Sequence, residues 1–426
     1  MAVLAVVMTS LAAVVAMAAP NPGQVEAINF LMPEVQPQEP DTYLCRAIKI
    51  EDSHRYITGF IPNANAMIAH HILLYGCLEP GGAEDEIWNC GEMSTSNKNY
   101  RTSSICQTGT SIIYAWAMEA PRLTLPPEVS FDVGQDTGIK YLVLQVHYKN
   151  VTSFKPPNNQ KDSSGLTLIT TTAPTTKTAA VYLLGTGGEI PQHSIEYFET
   201  ACTIQEDVEI VPFAYRTHAH ALGRVISGYR IRNGEWTEIG RKDPRLPEMF
   251  YNVTSSGITV KKGDILAARC TMENTLDHTV QIGPTQNDEM CNFYIMYYVE
   301  KLPSLNQKNC FTVGPPNWFW DDFNDQKSLN LQNVPTTVSV IPGSDTPLIC
   351  SATCKSDNDP NGIVEGLPGR FDDDAVNEVP RFNGPDELLK FIHSREEEDY
   401  QDEIISRWQK HQLIQEYLNA AEEPSN

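Results

Sequence analysis

Short runs of Val, Ile, Thr and Tyr, broken every few residues by Gly, Pro or Asn, constrain this chain more than any other feature. YLVLQVHY (141–148), VISGYRIR (225–232), DILAARC (264–270) and NFYIMYYV (292–299) are examples. β-branched and aromatic side chains suit a pleated surface, and the interrupting residues suit turns. Runs this short and this regularly spaced predict antiparallel β-sandwiches, an all-β fold. Two such regions are expected, residues 40–172 and 178–312. The polar, Thr-rich stretch TTTAPTTKT (170–178) reads as the link between them. Residues 313–426 read as an extension, irregular at first. Its later part holds Leu389, Ile392, Ile404, Ile405, Trp408, Leu413, Ile414 and Tyr417 in an interrupted apolar stripe, the pattern of an amphipathic helix or helix pair.

Charge narrows the choice of partner. The 426 residues carry 31 Lys+Arg against 54 Asp+Glu, a formal net charge of -23. Nucleic acid and anionic membranes both call for a basic footprint, so neither is expected as the main partner. From Lys355 onward there are 7 basic and 18 acidic residues, so nearly half the excess sits in the last sixth of the chain.

The first residues point to an oxidising compartment. An apolar run reaches Val15 and is followed by Ala16-Met17-Ala18, so residues 1–19 read as a secretory signal peptide, although no Lys or Arg precedes the run. Asn150-Val151-Thr152 and Asn252-Val253-Thr254 fit glycosylation acceptors. Ten cysteines, an even number, suggest disulfides rather than thiolate metal sites. A secreted or lumenal glycoprotein without a transmembrane segment in its mature form is expected.

Five histidines fall within apolar strand-like sequence: Ala69-His70-His71-Ile72, Gln145-Val146-His147-Tyr148 and Thr217-His218-Ala219-His220-Ala221. A lone histidine in such a setting is usually a core residue with a satisfied hydrogen bond. Two doublets and a fifth are harder to absorb, because burying an imidazole costs free energy unless it finds a partner. Alternate strand residues share a face, so His218 and His220 would form a two-point chelate with Arg216 beside them. His70 and His71 can serve one ion only if the backbone bends there, with His147 as a third nitrogen. Met290, Asn292 and Tyr294 share one parity, and Cys291 points the other way. A thioether suits copper(I), but on spacing alone a core methionine is the commoner reading for Met290. Met67 is read as core. His54, His193, His278, His393 and His411 are read as solvated.

These residues belong to longer motifs. DTYLC (41–45), AHHILLYGC (69–77), YLVLQVHY (141–148), FAYRTHAHALG (213–223), RVISGYRIRNGEWTEIGRKDPRLPEMFY (224–251), DILAARC (264–270) and DEMCNFYIMYY (288–298) resemble peptidylglycine α-hydroxylating monooxygenases. The resemblance runs from about Asp41 to about Cys310. It implies two jelly-roll-like domains, each with one copper, facing each other across a solvent-filled cleft. It implies His70, His71 and His147 as ligands of an electron-transfer copper, and His218, His220 and Met290 as ligands of the catalytic copper. Arg216, Asn292 and Tyr294 resemble the residues that hold the peptide's terminal carboxylate and backbone. Tyr43 and Gln145 match supporting positions near the cleft.

The bridges implied are Cys45–Cys90, Cys77–Cys106, Cys202–Cys310 and Cys270–Cys291. A further family bridge lacks both halves here, since no Cys precedes Cys45 and the relevant segment reads Lys161-Asp162-Ser163-Ser164-Gly165. Cys350 and Cys354 lie outside the resemblance and are candidates to bridge each other. A histidine that some members carry five residues before the Arg is Val211 here.

The activity implied is that of an oxidoreductase. Dioxygen and ascorbate would hydroxylate the α-carbon of a C-terminal glycine, the first step of peptide amidation. A guanidinium fork suits a terminal carboxylate. A separate lyase is expected to act on the product, because no room for a β-propeller lyase follows. Two other readings are weighed: a catecholamine-type copper monooxygenase, and a secreted copper-binding module without catalysis.

Overall fold

The computed structural model describes residues 25–50, 54–91, 99–117, 119–283, 285, 287–300 and 303–354. The signal-peptide and amphipathic-helix readings lie outside the described residues, as do His393 and His411. Among the described residues, no helix is long and apolar enough to cross a membrane.

The chain folds almost entirely as antiparallel sheet. A five-stranded sheet runs in the order Ile87–Asn89, Thr42–Lys49, Tyr141–Tyr148, His71–Cys77, Ser111–Ala117. A four-stranded sheet runs Ser194–Thr203, Ile265–Asn274, Gly223–Arg232, Glu235–Lys242. Between them lies a longer sheet. Val25–Leu31, Gly165–Thr171, Arg55–Asn63 and Val129–Val133 come from the first half of the sequence; Lys177–Thr186, Asn292–Glu300, Val211–His218 and Tyr251–Asn252 come from the second. The two halves join edge to edge by a short parallel pairing, Val129 with Lys177 and Ser130 with Thr178. Residues 172–176 make the only gap in strand between Gly165–Thr171 and Lys177–Thr186.

The central strand Tyr141–Tyr148 shows why these residues build such a sheet. Leu142, Leu144, Val146 and Tyr148 face the main core, while Val143 packs in a second cluster with Cys45, Tyr75, Cys77, Trp88 and Cys90. Both faces are therefore covered, which explains a run of apolar residues without a polar alternate until Gln145 and His147. Leu142, Leu144 and Val146 are fully buried, each contributing roughly 1.5–3 kcal/mol. Leu144→Ala would cost about 2–5 kcal/mol.

The main core crosses the seam. Ala179, Val181, Leu183, Ala214, Phe250, Tyr294 and Met296 of the second half pack in one cluster with Phe60, Tyr114, Phe131 and Leu166 of the first. Tyr182, Leu184, Tyr215, Phe293 and Ile295 point the other way, into the second half's own core. At Gly228 an added Cβ would come within 2.2 Å of the Phe293 ring, so only glycine lets that ring lie flat on the strand.

Residues 313–354 are irregular, with short helical turns at Trp320–Asp322, Gln326–Leu329 and Leu331–Asn333. They nevertheless pack. Trp318, Trp320, Leu329 and Val338 cover the outer face of the four-stranded sheet against Tyr229, Ile231, Ile265 and Ala267. Arg269 pairs with Glu199 there, its guanidinium 4.1 Å from the Tyr197 ring centre and 4.6 Å from that of Trp320.

Five disulfides are formed: Cys45–Cys90, Cys77–Cys106, Cys202–Cys310, Cys270–Cys291 and Cys350–Cys354. The last encloses a loop whose Thr353 N–H donates to buried Glu196 at 3.0 Å.

Candidate metal centres and substrate clamp

The first cluster stands where two strands end. His71 opens its strand directly opposite His147. His70 sits at a bend just before it, its N–H donating to the His147 carbonyl at 2.9 Å. The bend turns two adjacent imidazoles toward one space, which a regular strand would not do. His70 Nδ1 and His71 Nδ1 are 3.3 Å apart, and one ligand nitrogen from each of the three histidines lies within 4.8 Å of the others. Tyr43, opposite His147 on the other neighbouring strand, stacks on its ring at 4.0 Å and 5°. Asp41 Oδ1 accepts from His147 Nε2 at 3.1 Å.

Burial lowers the basicity of this group, and the neighbouring imidazoles lower it further. His70 falls to about 3 and His71 well below its ordinary value. Burial also lowers His147, against the opposing pull of Asp41. The three rings are therefore neutral at physiological pH, with lone pairs available.

The donor set fits a metal. His147 Nδ1 is buried with no hydrogen-bond partner, a costly state unless something else meets it. Three imidazole nitrogens at metal–nitrogen distances of about 2.0 Å stand roughly 3.3 Å from each other. The His70–His71 separation already has that value.

The second cluster lies on the strand Val211–His218. Arg216 and His218 stand opposite Tyr294 and Asn292 in register. Tyr294 belongs to the core that crosses the seam, so this face looks toward the first half. The sequence reading placed His220 two residues further along the same strand. In the structure the strand ends at His218 and His220 lies beyond it. The two rings still meet, 5.4 Å apart and edge to face. Strand alternation does not hold them together; a buried carboxylate does. Glu289, 0% exposed, accepts from the backbone N–H of His220, of Leu222 at 2.7 Å and of Met290 at 2.8 Å. It thereby ties the His220 turn to the segment that carries Met290. Cys270–Cys291 pins the same segment from the other side.

Each imidazole here offers Nε2. His218 Nδ1 donates to Glu248 Oε2 at 2.7 Å, and His220 Nδ1 donates to the Asp288 carbonyl at 2.9 Å. Such hydrogen bonds fix the tautomer of a metal-binding histidine. Burial and the neighbouring His218 lower the His220 imidazole to about 4. Met290 is buried, with its Sδ 4.0 Å from Asn292 Nδ2.

Arg216 is 2% exposed and bonded before any ligand arrives. Its Nη2 donates to Glu248 Oε2, its Nε reaches the Glu248 carbonyl at 3.4 Å, and its guanidinium lies 5.1 Å from the Tyr294 ring centre. Tyr294 OH accepts from Asn292 Nδ2 at 3.4 Å. Burial alone would raise the Glu248 carboxyl; His218 and Arg216 beside it hold it below its ordinary value.

The two clusters do not face each other across open water. The His71 and His218 rings are 6.2 Å apart, and His71, His147, His218 and Arg216 are all buried. The shared core and the edge-to-edge seam draw the halves together and close the expected cleft.

Other predicted positions are simpler. Gln145 is buried one alternation from His147, its Nε2 3.5 Å from Cys90 Sγ. Asn150 and Asn252 are exposed. Met67 is not core: it is 86% exposed, because the turn before His70 carries it outward. His193 is exposed and 2.8 Å from Asp277, and His54 stacks on Tyr56. Asp41, Glu248 and Glu289 were missed as site residues. Glu248 lies in the apolar, Pro-containing PRLPEMFY and Glu289 directly before Met290. An acidic residue in such surroundings is the signal that could have found them.

Comparison with known proteins identifies the family. Residues 28–155 match the copper type II ascorbate-dependent monooxygenase N-terminal domain, and residues 177–323 match the C-terminal domain of the same family. Peptidyl-glycine alpha-amidating monooxygenase A of Xenopus laevis is 38% identical over 324 residues, 75% of this chain and 32% of that protein. Peptidylglycine alpha-amidating monooxygenase of Rattus norvegicus is 40% identical over 298 residues, 69% of this chain and 29% of that protein. DBH-like monooxygenase protein 1 of Homo sapiens is 26% identical over 300 residues, 65% of this chain and 47% of that protein. The chain thus spans about a third of the length of the amidating relatives it matches. With both domains matched in order and two histidine clusters at their junction, the chain belongs to the copper type II ascorbate-dependent monooxygenases.

Proposed function

We propose that this chain hydroxylates the α-carbon of a C-terminal glycine in peptides, with dioxygen as co-substrate and ascorbate as reductant. The observation that carries the reading is a buried Arg216 on the same strand as His218, beside Tyr294 and Asn292. One oxygen atom enters the Cα–H bond, the other leaves as water, and ascorbate supplies two electrons. His70, His71 and His147 would hold one copper; His218, His220 and Met290 would hold the other. Bound copper supplies dioxygen activation and electron transfer, and the thioether favours its cuprous state.

The chain's own residues do the rest. Arg216 pairs with the substrate's terminal carboxylate through a planar fork. Asn292 and Tyr294 stand beside it and orient the adjoining backbone. That geometry sets the glycine Cα near His218 and His220 rather than further along the peptide. Burial of the site excludes water, which strengthens each polar contact. Asp41, Glu248 and the Asp288 carbonyl hold the imidazole protons away from the metal-facing nitrogens.

The product, a peptidyl-α-hydroxyglycine, calls for a lyase step that releases the amide. The ten cysteines in five disulfides and two exposed glycosylation acceptors support secretion or residence in the secretory lumen.

Incubation of copper-loaded protein with ascorbate, oxygen and a glycine-extended peptide should add one oxygen atom to the peptide. Hydroxylation of tyramine instead of peptide would favour the catecholamine-type reading. Copper uptake without any oxidation would leave a binding module.

A further inference from the structure

Glu248 is a fully enclosed carboxylate with two duties. Through one oxygen, Oε2, it receives the Arg216 guanidinium and the His218 Nδ1–H together. Its side chain is 5% exposed and that of Arg216 3% exposed. Water therefore does not share these bonds. We infer that Glu248 is a positioning residue that sets His218 with Nε2 outward, sets the Arg216 fork, and by its negative charge moderates how tightly that fork holds a substrate carboxylate.

The inference deepens the peptide-hydroxylase reading and rests on it for the carboxylate. Two arguments carry it. A histidine can present either nitrogen, and which one it presents depends on what the other meets. Glu248 is what His218 Nδ1 meets. Second, a buried guanidinium already neutralised by one carboxylate attracts another less strongly than a bare one would. Removing the charge but keeping the shape should therefore strengthen substrate binding, whereas removing the side chain should free the imidazole. A residue that only braced the fold would do neither.

The full-length, copper-loaded protein carries the test, with Glu248→Gln and Glu248→Ala. Calorimetry without ascorbate measures binding of a glycine-extended peptide acid and of the same peptide closed as its amide. A cuprous chelator titration measures retention of each copper. Glu248→Gln should bind the acid several-fold more tightly than the parent and the amide no better. Glu248→Ala should weaken one copper by about 10–100-fold and leave the other unchanged.

Acid binding in Glu248→Gln equal to or weaker than in the parent overturns the charge role. Two coppers held as in the parent by Glu248→Ala overturn the positioning role. If the alanine variant does not fold, the glutamine variant decides alone. A parent protein that binds neither peptide refutes the peptide reading instead, while chelator titration still judges Glu248's hold on His218.

Discussion

The two histidine clusters reach similar ends by different means. In the first, backbone topology does the placing. A bend at His70, a cross-strand pair between His71 and His147 and a stacked Tyr43 bring three rings together, with Asp41 as a supporting carboxylate. In the second, buried charge does the placing. Glu289 gathers three backbone N–H groups, and Glu248 joins Arg216 to His218. The outward nitrogens differ accordingly: His147 keeps Nε2 for Asp41, whereas His218 and His220 spend Nδ1 on their supports. The contrast teaches that the second centre should fail when a charge is deleted, and the first when a strand end is disturbed.

The sharpest way to break this contrast is Met290→Ile. Hydroxylation should be abolished while the fold and the first-cluster copper persist, as read by product assay and X-ray absorption. Full activity would remove Met290 from the centre.

Next in size is Glu289→Ala, which strands three buried donors and should cost about 3–5 kcal/mol in denaturant unfolding. Copper should be lost from the second cluster first; equal loss from both would show that the two centres do not differ in what holds them.

Asp41→Asn is milder. Asp41 has φ 53°, a left-handed conformation that Asn tolerates, so the backbone should hold. Only the first-cluster affinity for copper(I) should fall, by about tenfold, in chelator competition.

The smallest effect concerns protons. The His70 imidazole is lowered from 6.5 to about 3 by burial, then by its neighbours. Between those values the unfolded chain binds more protons than the folded one. Metal-free protein should therefore be most stable above about pH 6.5 and lose stability as the pH falls toward 3. Thermal midpoints at pH 7 and pH 5 check the sign; an unchanged or higher midpoint at pH 5 would refute it.

Much of this was legible in the sequence because strand parity is a strict code. It placed Arg216 with His218, and Asn292 with Tyr294. It also showed that His70 and His71 needed a bend. Spacing alone could not show that the strand stops at His218, because that depends on Glu289, which is 67 residues from Leu222. Nor could it show that Arg216 already has a buried partner in Glu248, 32 residues away. Met67 misled because an apolar residue near a core strand says nothing about the turn that carries it outward. The closed junction was hidden for the same reason: a two-residue parallel pairing leaves no periodic trace.

That pairing, Val129 with Lys177 and Ser130 with Thr178, has a mechanical corollary. Two rungs alone would make a weak joint, but Phe60, Tyr114, Phe131 and Leu166 interleave with Val181, Leu183, Tyr294 and Met296 beside them, so apolar packing rather than the ladder itself welds the halves together.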